Sequence, residues 1–117
     1  MAYALRFVQR FRAADEAAFM ALEAQFAVLE RRKGWPRGRR SRPFAGREPG
    51  NTLVWECELE TLAAVNGAVA AMGRDPEHAR LLKRQIPFFL GAWTEIYEVL
   101  DLPETRQARR ARSSRVS

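Results

Sequence analysis

Two arginines and two glutamates are the residues whose types and spacing could do chemistry. Arg6 and Arg10 lie on LRFVQRF, residues 5 to 11, and Glu56 and Glu58 lie on NTLVWECELE, residues 51 to 60. Both stretches alternate with a period of two, the mark of a half-buried strand. In the second stretch Leu53, Trp55, Cys57 and Leu59 point one way, and Val54, Glu56 and Glu58 point the other. In the first, Leu5, Phe7, Gln9 and Phe11 share one face, while Arg6, Val8, Arg10 and Arg12 share the other. Side by side in one sheet, the two polar faces would bring guanidinium and carboxylate groups together. Convergent Arg and Glu suit a small polar or carboxylated organic molecule. The plainer reading is that the four charges form cross-strand ion pairs and satisfy each other. Trp93 and Tyr97, four residues apart on AWTEIYEVL, share a face of a third strand. They would line a ligand cavity or the seam of an assembly, since aromatic side chains favour both settings. The candidate ligand-binding residues are therefore Arg6, Arg10, Glu56, Glu58, Trp93 and Tyr97.

His78 is the one histidine and Cys57 the one cysteine. A general-base role for His78 is conceivable chemistry at neutral pH, but the first turn of a helix is usually solvent-facing, so a surface or capping role is expected. Cys57 shares the Leu53 and Leu59 face and reads as core; no histidine or metal-spaced partner lies near it in sequence. A single cysteine rules out an intrachain disulfide. No glycine-rich phosphate loop, nucleophile elbow or metal-ligand spacing is present, so neither a cofactor nor a metal is expected.

The elements that must position these residues follow in order. After the strand at residues 5 to 11, a helix is expected from about Asp15 to Lys33, with Phe19, Leu22, Phe26 and Leu29 as its core stripe and Glu16, Glu23 and Glu30 on another side. Gly34 suits a left-handed cap, and Pro36 prevents continuation. Residues 38 to 46 read as an edge strand with Arg40, Arg42 and Phe44 on one face, because Pro43 excludes a central position and arginines deter edge pairing. Trp35 is expected to cover the end of the first helix. Thr61 caps a second helix carrying Leu62, Val65, Val69 and Met72 and ending at Gly73. Asp75 and Pro76 open a short third helix that stops before Pro87. The last strand runs from Trp93 to Leu100.

At 117 residues the chain makes one domain, residues 1 to 102, followed by a basic, flexible tail at residues 103 to 117. The net charge of +6 is uneven. Residues 31 to 47 hold eight bases and no acid, and residues 102 to 117 hold five bases against Glu104, so the rest of the chain is acidic. Clustered arginine can neutralise phosphates, yet there is no helix-turn-helix, zinc pattern or RNA-binding aromatic motif; a solvated loop and tail are the expected reading, with nucleic acid an unfavoured partner. The longest apolar run, Leu62 to Gly73, is too short for a bilayer, which needs about 20 residues. No membrane contact and a cytoplasmic location are expected.

Strand, helix, strand, strand, helix, strand, with an extra short helix before the last strand, is the α+β plan of ferredoxin-like folds, βαββαβ. Its helices cover one sheet face only. Trp93 and Tyr97 are more than a solvated face normally carries, so a homodimer with two sheets facing each other is expected. WECEL at 55 to 59, DPEHARLLKRQIPFF at 75 to 89 and TEIYEVL at 94 to 100 resemble the dimeric α+β barrel superfamily, and within it the NIPSNAP-like and antibiotic-biosynthesis-monooxygenase-like proteins, over residues 3 to 102. The resemblance implies a homodimeric barrel with ligands bound in the interior lined by the polar sheet face. It implies a small organic ligand and, if there is catalysis, cofactorless monooxygenase-like chemistry, with Arg10 and Glu56 positioning the substrate and Tyr97 against it. The haem-degrading members place a ligand histidine where this chain has Leu81 and Leu82, and they need a tryptophan on the second helix and an asparagine on the first strand, which this chain lacks. The alternatives are a non-catalytic dimeric module with an interior filled by side chains, and a nucleic-acid accessory using residues 37 to 47 and the tail.

Overall fold

A computed structural model describes residues 2 to 103; the expected tail lies outside them from residue 104 on. The strand β1 (Ala2–Phe11) leads to α1 (Glu16–Lys33), a short β2 (Arg39–Ser41), β3 (Thr52–Leu59), α2 (Leu62–Arg74), α3 (Pro76–Gln85) and β4 (Phe89–Val99). The fold is α+β and ferredoxin-like. The four strands form one sheet in the order β2-β3-β1-β4 with antiparallel pairings throughout. β1 and β3 occupy the centre, where Leu5 faces Cys57 and Phe7 faces Trp55.

The alternation of β1 and β3 decides which face the helices cover. Leu5, Phe11, Leu53, Trp55 and Cys57 are buried against Phe19, Val65 and Met72, and Phe7 stacks on Trp55 with ring centroids 5.0 Å apart. Burying such aromatic and aliphatic groups is the main source of stability. The opposite face carries Arg6, Val8, Arg10, Val54, Glu56 and Glu58, and none of the helices α1 to α3 lies over it.

The caps hold as the sequence predicts. Thr61 Oγ1 accepts from the Ala64 N–H at 3.0 Å, Asp75 Oδ1 accepts from the His78 N–H at 2.9 Å, and Gly34 closes α1 at φ 69°. α2 runs one residue past Gly73, to Arg74, because Asp75 serves both as its C-cap and as the N-cap of α3. β4 starts four residues before the expected Trp93.

Three expectations are corrected. The edge strand at residues 38 to 46 shrinks to Arg39–Ser41, since Pro43 has no N–H to extend the ladder; Phe44 beyond it is fully exposed. Arg40 does not line an outer edge but turns under the helices. Glu23 and Glu30 do not sit on a solvated side of α1: they are 6% and 9% exposed.

Candidate functional site

Glu23 and Glu30 stand four residues after Phe19 and Phe26, respectively, so the 3.6-residue period returns them to the core stripe. A buried carboxyl needs partners, and the sheet supplies them. Arg40, opposite Trp55 in the β2–β3 pairing, reaches across to α1: its Nε donates to Glu23 Oε2 at 2.7 Å and its Nη2 to Glu30 Oε2 at 2.7 Å. Trp55 Nε1 donates to Glu30 Oε1 at 3.1 Å. Gln85, fully buried at the end of α3, donates from Nε2 to Glu23 Oε1 at 2.7 Å. One cluster thus ties together α1, β2, β3 and α3. Gly38 lets the chain pass over Trp55, since a Cβ there would stand 1.8 Å from the indole ring.

This cluster forms one end of a cavity of about 350 Å³ between the sheet and the helices. Phe7, Phe26, Trp55, Phe89 and Trp93 line it, together with Gln9, Met72, His78 and Thr94. The His78 ring meets Phe26 edge-on at 5.1 Å and Trp35 at 5.9 Å. The expected surface role for His78 is therefore corrected. Only its backbone caps; its ring is half-buried in the cavity wall. Burial pushes its pKa below the usual 6.5, against the opposing pull of Asp75, Glu30 and Glu23. For Arg40, burial opposes the charged form, but the hydrogen bonds to Glu30 and Glu23 outweigh it and raise the pKa. Burial also raises the Cys57 thiol pKa, and Cys57 packs in the core.

The residues chosen from sequence lie mostly on the other face. Arg6 Nε is 3.2 Å from Glu56 Oε1, though its N–H is not aligned for a hydrogen bond, and Arg6 Nη1 bonds Glu95 Oε1 at 3.2 Å. The Arg6 guanidinium lies 5.4 Å from the Tyr97 ring centre. Trp93 Nε1 donates to Glu95 Oε2 at 2.9 Å. Arg6, Glu56, Trp93 and Tyr97 are thus brought together. Arg10 stands apart, opposite Thr52 and Gly91, and its Nε is buried without a partner; Glu58 lies opposite Ala4 and is exposed. A second cavity of about 380 Å³ on this face includes Arg6, Val8, Trp93, Glu95 and Tyr97. Trp93 borders both cavities. Glu95 is a residue that sequence reasoning missed, although it alternates in register with Trp93 and Tyr97. A third, more open groove of about 550 Å³ runs outside α1 and α3.

Among the described residues, no group of three or more His, Cys, Asp or Glu is placed to hold a metal ion, and no helix is long and apolar enough to cross a membrane.

No protein-family model matches the chain, and no curated protein does. Solved structures do match in fold. A NIPSNAP family protein from Agrobacterium tumefaciens superposes with a TM-score of 0.70 at 12% identity, over 86% of this chain and 88% of that one. An uncharacterised NIPSNAP-like domain protein from Burkholderia xenovorans gives 0.70 at 14% identity, over 86% and 87%. A mutant of SnoaB, a cofactor-independent oxygenase from Streptomyces nogalater, gives 0.60 at 17% identity, over 87% and 97%. The chain therefore shares the fold of NIPSNAP proteins and of antibiotic-biosynthesis monooxygenases.

Proposed function

We propose that this protein binds a small organic molecule in the cavity between the sheet and the helices. The observation that carries this reading is the cavity itself: aromatic walls ending in one buried polar cluster formed by Glu23, Glu30, Arg40 and Gln85. Apolar walls with a few placed polar groups are the usual make-up of a ligand site. The Arg6, Glu56 and Glu95 group is a weaker candidate, because its charges already pair with one another.

That face instead fits the seam of a homodimer. Among the described residues no helix covers it, and Trp93 and Tyr97 stand on it, with Tyr97 half exposed. The six residues selected from sequence, Arg6, Arg10, Glu56, Glu58, Trp93 and Tyr97, then serve assembly more than ligand recognition.

Cofactor-free oxygenase chemistry is a second reading. The oxygenase SnoaB shares the fold. The specific observation in its favour is His78, whose lowered pKa leaves a neutral imidazole at the cavity wall able to take a proton from a bound substrate.

The test is an amide-shift map by NMR with a library of small aromatic compounds. Shifts at Phe7, Trp55, His78 and Phe89 are expected. Shifts confined to Arg6, Val8, Val54 and Tyr97 would place the ligand on the other face and overturn the reading.

A further inference from the structure

The chemistry left over at the polar end specifies the ligand more closely, given that the cavity is the ligand site. Glu23 and Glu30 contribute two carboxyl groups against the single guanidinium of Arg40. Arg40 spends its short hydrogen bonds on those carboxyls, so it does not offer a free fork to an anion. Two further donors at this end are also engaged: Trp55 Nε1 on Glu30 and Gln85 Nε2 on Glu23. The polar atoms of the lining that are buried without a partner are both acceptors. Gln85 Oε1 is buried with no partner, on a side chain that is 0% exposed, and its orientation is set by the amide nitrogen facing a carboxyl oxygen. Gln9 Oε1 is likewise buried without a partner, and both residues line the cavity. An unpartnered buried acceptor costs about 1–3 kcal/mol, which a donating ligand would relieve. The same cavity is lined by the rings of Phe7, Phe26, Trp55, Phe89 and Trp93, and the negative faces of such rings attract cations. His78, neutral through burial, adds no competing positive charge.

We propose that the cavity selects a small organic ammonium ion, its N–H groups on Gln85 Oε1 and Gln9 Oε1 and its hydrocarbon part among the aromatic rings. A primary ammonium brings three donors and no acceptor, matching the two buried acceptors left without a partner. A carboxylate would meet Glu23 and Glu30, whose two carboxyl groups stand against the single guanidinium of Arg40.

Three probes of one size separate the possibilities: 2-phenylethylammonium, 2-phenylethanol and phenylacetate, titrated into the full chain at neutral pH and followed by calorimetry and amide shifts. The ammonium is expected to bind at least about tenfold more tightly than the alcohol, with no detectable binding of phenylacetate. Gln9→Leu, which removes a carbonyl that has no partner to lose, is expected to weaken the ammonium severalfold and leave the alcohol nearly unchanged. Glu23→Gln is expected to weaken the ammonium as well, because it takes a negative charge from the polar end and sets an N–H against Arg40 or Gln85. Equal affinity for ammonium and alcohol, or tighter binding of phenylacetate, overturns the cation preference while leaving the cavity as the site. If none of the three shifts the Phe7, Trp55 and His78 amides, the cavity itself is not the site and the inference falls with it.

Discussion

At the scale of single residues, His78 links packing to pH. Its imidazole is wedged against Phe26 and Trp35, and burial lowers its pKa from 6.5. A histidine whose folded pKa lies below its unfolded value binds its proton more weakly in the native state. Its unfavourable contribution is absent when both states are neutral and develops as pH falls from about 6.5 to the depressed folded value. The native protein is therefore expected to lose stability across that interval relative to His78→Gln, in denaturant titrations at matched pH values. Parallel curves for the two proteins would show that the ring is solvated. The losses due to Asp75 and Glu77, whose pKa values are lowered from 3.8 and 4.5, develop as pH falls through those carboxylate values and are common to both proteins. The cap formed by the His78 backbone was legible from Asp75-Pro76-Glu77. The inward ring was not, because first-turn position indicates exposure only when no neighbouring element reaches over that turn. Here Trp35, just beyond α1, does.

At the scale of elements, the pattern of β1, β3 and the caps was readable because one residue's neighbours in sequence determine its face. The site was not, because it rests on Arg40, whose role depends on which face a three-residue strand presents. The α1 signal was present: Glu23 and Glu30 fall at helical spacing from Phe19 and Phe26 and so belong to the core stripe. Their charge argued for solvent and masked it. β2 has only three residues paired to β3, and the Arg40 bonds to Glu23 and Glu30 fasten it to α1 as well. Arg40→Met is expected to destabilise the fold by about 3–5 kcal/mol, because it strips both buried carboxyls of their charged partner. Hydrogen exchange should rise first in β2 and at the β2–β3 ladder. A loss below about 1 kcal/mol would mean that water replaces Arg40 and that the cluster is solvated. Glu23→Gln combined with Glu30→Gln should recover part of the Arg40→Met loss, since the unpaired charges are then gone.

At the scale of the whole molecule, one sheet face is buried under helices, while on the other Val8 and Val54 are buried and Tyr97 stays exposed. Tyr97 is 51% exposed on the polar face of β4, Ile96 beside it on the opposite face is 48% exposed, and Leu100 beyond the strand is 63% exposed. Exposed apolar and aromatic groups gathered along one sheet edge mark an association surface. Sedimentation at micromolar concentration is expected to give a dimer, and Tyr97→Glu is expected to shift it toward monomer by placing a carboxylate near Glu95 and Glu56. A wild-type monomer would leave the polar sheet face as solvated surface. The ferredoxin-like order of strands was legible from the element sequence alone. The division of labour between the two faces was not: sequence alternation gives two faces without saying which one encloses space, and the Glu23–Arg40–Gln85 cluster that borders the cavity joins residues far apart in sequence.

Electron density for crystals soaked in 2-phenylethylammonium tests the central claim most directly. The expected result is a molecule between Phe7, Trp55 and Phe89 with its nitrogen within about 3 Å of Gln85 Oε1. Density only among Arg6, Glu56 and Tyr97, or an empty helix-side cavity at saturating concentration, would contradict it.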